Sequence, residues 1–378
     1  MRIGHLCFCA ILLTPAAGAW ADNLDTPTPK VEQSFELKYE ARDTAAADLD
    51  RFVFTTSYRW ETGRRGSLAV VLPYQRIEVD PVGAPELSAH GLMDMSVSYT
   101  FNVRDLNRRG TSAHWELRGN VPMGKATLDG NEFAALNALN ASAEGFINPQ
   151  FGRGAGLGVF HHWASQHGTR KTNWYLGGTW NGSYQISDAP GFDRSNSGID
   201  TYEAGVGWQI EKGRRVWDLG LDIVGFRESE TVTNGVRTVI DSDPNYTFRA
   251  GLALNHTDRI TSNFRLTYQD RDVQDSSQPG VLVNPASVEL GDRIFWEAFI
   301  ERRNNVHDKW ILGTVGLRTM GAHQGGIDLP GSDRHEEFAR LGYDRSGDNG
   351  RGWSITSDFG LSSDARDLVT VARFYRKF

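Results

Sequence analysis

The amino-acid sequence predicts an all-β protein: a transmembrane antiparallel β-barrel of about sixteen strands (fourteen to sixteen), with both termini on the periplasmic side. Three observations carry this expectation. Long stretches alternate apolar and polar residues with a strict period of two. The connections between them alternate between short and long. The tryptophans gather near the short connections.

The first element is a leader. Met1–Arg2, the apolar run Ile11-Leu12-Leu13 and the small-x-small site Ala19-Trp20-Ala21 before Asp22 have the layout of a secretory signal peptide. The expected organisation is a signal peptide over 1–21, a periplasmic tail over 22–32 and a barrel over 33–378. Both cysteines, Cys7 and Cys9, fall in the leader, so the exported chain has no disulfide, thiol nucleophile or thiolate metal site. A formal net charge of −7 argues against nucleic acid as a partner.

The strands come next. In Ser34–Arg42, Phe35, Leu37, Tyr39 and Ala41 alternate with Glu36, Lys38, Glu40 and Arg42; in Met93–Val103, Met95, Val97, Tyr99, Phe101 and Val103 alternate with polar residues. Tyr202–Ile210 repeats the pattern. Such runs mark strands with one apolar and one polar face, and their length matches the ~9–11 residues that cross a bilayer. Sixteen candidates follow: 33–42, 51–62, 67–79, 92–103, 112–122, 150–164, 172–186, 200–211, 216–228, 246–256, 260–271, 292–303, 309–319, 335–344, 352–361 and 366–378. Short turns, expected on the periplasmic side, alternate with longer outer loops such as 123–149, 187–199, 229–245, 272–291 and 320–334.

Trp60, Trp115, Trp163, Trp174, Trp208, Trp217, Trp310 and Trp353 lie within a few residues of a proposed short turn. An interface girdle predicts this, because indole places its ring in hydrocarbon and its N–H among head groups. The opposite, polar faces carry Glu203, Asp218, Asp222, Arg249, Arg265, Arg293, Glu297 and Glu301, which are expected to line the interior. Acidic and basic walls facing each other would set a transverse field across it.

The sequence shows no constellation expected to act as an enzyme, and neither a cofactor nor a metal is expected. His161 and His162 are neighbours on one strand and point to opposite faces. Ser165 follows only at the turn, so a lipid-hydrolase reading lacks its Ser–His pair. Asp241-Ser242-Asp243 begins like a calcium loop but has Tyr246 and Leu252 where glycine and glutamate are needed; a turn is expected there. Gly152, Gly154, Gly156 and Gly158 predict a strip without side chains on one strand. Glu132–Glu144 is alanine-rich, with Phe133, Leu136 and Leu139 at helical spacing. It predicts a short helix in the longest outer loop, folded into the mouth.

At Leu72-Pro73-Tyr74, Gly91-Leu92-Met93-Asp94-Met95 and Val121-Pro122-Met123-Gly124 the chain resembles the outer-membrane proteins of the meta-pathway of phenol degradation (transporter) family. Met93 stands where that family usually has glycine, and Met123 where it usually has threonine. The likeness spans about residues 68–165. It implies a barrel in the bacterial outer membrane associated with passage of small, often aromatic, compounds.

The function expected is therefore a porin-like channel for passive passage of small solutes. The alternative is a surface or scaffold protein that transports nothing. Expected partners are outer-membrane lipids, an unidentified solute and the barrel-assembly machinery, which would read a final strand ending at Phe378.

Overall fold

The structure, a computed structural model, describes residues 31–44, 46–61, 66–104, 110–125, 127–142, 151–152, 154–189, 192–271, 273–278, 286–329, 332–347, 350–363 and 366–377. The proposed leader, nearly all of the periplasmic tail and Phe378 lie outside them.

The chain opens with β1 (Val31–Asp43), β2 (Ala47–Glu61) and β3 (Gly66–Pro81). Then come β4 (Leu87–Leu92), β5 (Met95–Arg104), β6 (Thr111–Val121) and a helix, α1 (Gly130–Ser142). β7 (Gly156–His167) and β8 (Arg170–Asn181) lead into a hairpin, β9 (Tyr184–Ala189) and β10 (Phe192–Asn196). The same plan repeats: β11 (Thr201–Lys212) and β12 (Arg215–Phe226), then a hairpin of β13 (Ser229–Thr233) and β14 (Val236–Ser242). β15 (Asn245–Asn255) and β16 (Ile260–Asp270) precede β17 (Val273–Ser277) and β18 (Ala286–Glu289). β19 (Arg293–Arg303) and β20 (Asp308–Thr319) precede β21 (His323–Gln324) and β22 (Ile327–Asp328). The chain finishes with β23 (Arg334–Ser346), β24 (Arg351–Gly360) and β25 (Leu368–Lys377).

The long strands form one antiparallel sheet that closes on itself. β3 pairs with β4 over Tyr74–Val79 and with β5 over Gly66–Val71, so β4 and β5 are one stave interrupted at Met93–Asp94. β25 pairs with β1, from Ala41↔Leu368 to Glu32↔Lys377, and completes a barrel of sixteen staves. All sixteen predicted strands are present. Staves spaced about 4.8 Å and tilted about 40° close on a cylinder about 30 Å across.

One face of the sheet keeps the apolar residues all the way round. Phe35 sits opposite Phe374 and Phe54 opposite Leu37. Leu221 sits opposite Phe248, and Phe264 opposite Leu252. All of these but the half-buried Leu252 are exposed, together with Leu176, Leu312, Leu341 and Ile355. The other face carries the charges and holds the buried polar residues Glu40, Arg51, Gln75, Asp222 and Glu336. A closed sheet with apolar side chains outside and ionised ones inside is the reverse of a water-soluble barrel. The fold is that of a transmembrane β-barrel, and among the described residues no helix is long and apolar enough to span a membrane.

Four of the predicted outer loops are not loops. Their hairpins pair with one another, in the order β9-β10-β13-β14-β17-β18-β21-β22, to make a second, eight-stranded sheet. It stands on the end of the barrel opposite the termini. The longest connection folds differently. α1 packs Ala135 and Leu136 into a buried cluster with Leu49, Ile77, Val79 and Ala89. Those wall residues alternate with the outward set, so the helix lies inside the mouth, as expected for this segment. The strand predicted over 150–164 begins only at Gly156, leaving Gly152 and Gly154 outside it, Gly154 with a φ of +79°.

Candidate functional site: the inward face of the barrel

Register determines which inward side chains meet. In an antiparallel ladder, directly opposed residues share a face, so each interior residue has a row of companions around the barrel. One row runs His114, His162, Tyr175, Gly205, Asp222, Thr247, Gln269 and Arg293. The rings of His114 and His162 stack at 4.5 Å, and those of His162 and Tyr175 at 5.7 Å. Tyr175 then donates its hydroxyl to Asp222 Oδ1 at 2.9 Å, reaching past β11 altogether. A Cβ on Gly205 would collide with both groups, so the glycine opens the passage between them. Side chains two staves apart converge only on the concave side of a curved sheet, which places this row in the interior.

The expected interior residues all lie on this face. Asp222 receives Arg249 at 2.7 Å. Glu297 receives Arg265 at 3.3 Å and Arg340 at 2.5 Å, Arg340 reaching past β20. Arg340 is also bidentate to Asp358, at 2.7 and 2.9 Å. Lys309 pairs with Glu301 at 3.3 Å. Glu203 accepts from Thr201 at 3.4 Å, Asp218 faces inward opposite Gly251, and Arg293 faces inward opposite Thr319. Among the described residues the charges do not form the facing acidic and basic walls expected from the sequence: Arg249, Arg265, Lys309 and Arg340 each pair with a carboxylate one or two staves away, so the two signs alternate along this arc.

Five charged residues of this network were not singled out from the sequence: Glu116, Arg118, Lys309, Arg340 and Asp358. Glu116 holds Arg118 through two contacts of 3.0 Å and lies 3.2 Å from His162 Nε2, whose N–H it accepts in the tautomer that carries the proton there. Arg118 lies 4.1 Å over the Phe160 ring. Their parity within Thr111–Val121, Asp308–Thr319, Arg334–Ser346 and Arg351–Gly360 was the available signal. The glycine strip is likewise filled: the ring of Phe160 occupies the space above Gly158 and Gly177.

At the mouth the interior packs tightest. Glu40 accepts from Arg51 at 3.1 Å, from Lys38 at 3.0 Å and from Arg366, which comes from the β24–β25 connection. Arg51 also donates to Gln75 at 3.2 Å. Glu40, Arg51 and Arg366 are all buried.

The tryptophans take the outward face. Trp163 stacks on Trp174 at 6.1 Å, Trp60 on Tyr58 at 5.6 Å, and Trp115 lies against His161 at 4.6 Å. Trp310 and Trp353 flank Tyr343. Trp208 and Trp217 are exposed on the same side, as is Trp180, nearer the rim. Trp296 lies flat over Gly316. His161 thus faces outward and His162 inward, while Ser165 is four residues from His161, about 13 Å along a strand. No Ser–His contact forms there.

No family model matches the chain, and no curated protein matches it in sequence. Solved structures do. CdiB from Acinetobacter baumannii is 11% identical with a TM-score of 0.47, the match covering 92% of this chain and 60% of CdiB. The COG4313 outer membrane channel from Pseudomonas putida F1 is 11% identical with a TM-score of 0.41, covering 94% and 99%. The toluene transporter TodX of P. putida is 9% identical with a TM-score of 0.40, covering 93% and 91%. The chain therefore spans 60% of the length of CdiB and nearly all of the two channels.

Proposed function

We propose that the protein is an outer-membrane channel for passive diffusion of small solutes. The observation that carries this reading is the inward face: a closed sixteen-stave wall whose interior rows carry ionised side chains instead of a packed apolar core. About eight staves leave room only for side chains, whereas about sixteen can enclose water. The rim sheet and the helix-bearing loop face the cell exterior, and the termini face the periplasm. Phe160, Phe295, Phe299 and Phe338 share the inward face with the charges (by the registers around β7, β19 and β23). An interior of flat rings beside paired charges suits small aromatic compounds, the solute class also named for the toluene transporter.

The test is conductance of the refolded protein in a planar bilayer. Discrete single-channel steps are expected, and silence at all voltages would favour the scaffold reading instead. Asp222→Asn leaves Arg249 without its carboxylate, so the reversal potential across a salt gradient should move toward anion preference. Liposome swelling with a small aromatic solute against a sugar of similar size then tests the solute class.

A further inference from the structure

The three motifs quoted above are far apart in the sequence and meet at one point. Met93 donates its N–H to the carbonyl of Pro73 at 2.9 Å. Asp94, buried, accepts the N–H of Gly124 on Oδ1 at 2.9 Å and the Asn120 side-chain amide on Oδ2 at 2.9 Å. Its own N–H donates to the carbonyl of Phe151 at 3.1 Å. Asn120 also donates to the carbonyl of Gly154 at 2.6 Å, and Lys125 N–H to the carbonyl of Leu92 at 3.2 Å. The break in the β4–β5 stave is therefore a clasp. It holds the outgoing segment of the excursion at Gly124 and Lys125 and the returning segment at Phe151 and Gly154. Gly124 leaves no room for a side chain: a Cβ there would strike the Phe151 carbonyl and meet Asp94 Oδ1 at 2.9 Å.

What hangs between the two clamped segments is α1. Its N-terminus is tied to the clasp, because Lys125 pairs with Glu132, and Asp129 and Glu132 cap one another (Asp129 N–H to Glu132 at 3.1 Å, Glu132 N–H to Asp129 at 2.9 Å). Phe151 enters the same buried cluster as Leu136. The clasp, the cap and the apolar seat are thus one continuous unit.

We propose that Asp94 is the positioning residue that keeps α1 seated inside the mouth and so sets the open cross-section of the pore. The proposal rests on the channel reading for its consequence and not for its geometry. A helix about 10 Å across takes up much of the lumen of a cylinder about 30 Å across once wall side chains are subtracted. Asp94 touches no solute; it acts through the backbone of Gly124 and Phe151.

The experiment uses a cysteine at Leu136, whose side chain is buried against the wall, in the full chain with Cys7 and Cys9 replaced by serine and refolded in vesicles. Reaction with a small water-soluble maleimide is followed beside single-channel conductance, with heat-modifiable gel mobility reporting the folded barrel. In the L136C background Asp94→Ala should raise the labelling rate at least about tenfold, since each charge-assisted hydrogen bond lost shifts a local opening equilibrium by about that factor. It should also enlarge or destabilise the conductance steps. Asn120→Ala removes one of the two side-chain bonds and should give a smaller rise, and Gly124→Ala should pry the clasp apart with Asp94 intact. If Asp94→Ala does not refold, these two variants carry the test. Unchanged labelling in folded clasp variants overturns the proposal. Raised labelling with a silent bilayer in every variant overturns the channel reading and leaves the clasp standing.

Discussion

Along the arc from β8 to β23 the mouth is finished by four hairpins that pair with one another, whereas along the arc from β2 to β6 it is finished by a helix folded against the inner wall. Composition explains the difference. The hairpin β13–β14 reads Ser-Glu-Thr-Val-Thr, then Asn234-Gly235, then Val-Arg-Thr-Val-Ile-Asp-Ser. Its β-branched residues favour extended backbone, and Asn234 and Gly235, at φ 50° and 79°, supply the left-handed pair of a type I′ turn. The other connection offers Phe-Ala-Ala-Leu-Asn-Ala-Leu, which favours helix. A hairpin can satisfy its backbone edge on the next hairpin. A helix satisfies its backbone internally but must cover its apolar stripe, and the inner wall at Ile77 and Ala89 is the surface available. The two arcs therefore depend on different interactions: burial of apolar side chains on the helix side, backbone pairing between hairpins on the other.

Substitutions at the buried rim beside the helix arc and on the hairpin arc put that contrast to the test, the largest effect coming from the ion cluster centred on Glu40 of β1. Glu40→Ala would leave Arg51 and Arg366 buried without their carboxylate, and breaking a buried pair in this way costs about 3–5 kcal/mol. Urea unfolding in vesicles, followed by tryptophan fluorescence, should show the loss; a change within error would mean that the mouth is well hydrated and the arcs are alike. Gly235→Ala puts a Cβ on a residue at φ 79° and should cost about 1 kcal/mol. Amide exchange should quicken at β13 and β14 while the staves keep their protection. The smallest effect belongs to Glu230→Ala, which removes an exposed pair with Arg237 on the rim sheet. Such pairs contribute about 0–1 kcal/mol, so the unfolding midpoint should stay put and should be insensitive to salt at this site. A loss approaching that of Glu40→Ala would erase the distinction between the arcs.

Much of the wall was legible because a bilayer-crossing strand writes its two faces into alternate residues. The parity in Tyr202–Ile210 alone tells that Glu203 and Trp208 point opposite ways, and the register puts them there. Parity does not tell which residue of the next stave stands opposite. That is why Asp222–Arg249 and Arg340–Asp358 could not be read as pairs, and why facing charged walls were expected where alternating pairs exist. The rim sheet was missed for a different reason. Its strands are four to seven residues in most cases, too short for alternation to stand out, although Asn234-Gly235 between two β-branched runs was a readable hairpin signal. The inward course of Arg366 left no trace in the pattern, because a single basic residue in a turn looks like any solvated one. The break at Met93–Asp94 was visible only as a motif, and its partners at Gly124 and Phe151 are separated from it by an excursion of unknown direction until the fold is seen.

The seam between β1 and β25 joins residues from the two ends of the chain, pairing Glu32 with Lys377 and Phe35 with Phe374. These partners are the first and last staves of the wall. Every intermediate length of this polypeptide is an open ribbon with two unsatisfied backbone edges, and in hydrocarbon each unpaired N–H or C=O costs several kcal/mol. The closure of the cylinder is thus also a statement about its cooperativity: parting the β1–β25 seam would expose two unpaired edges at once, so the wall holds or opens as one ring.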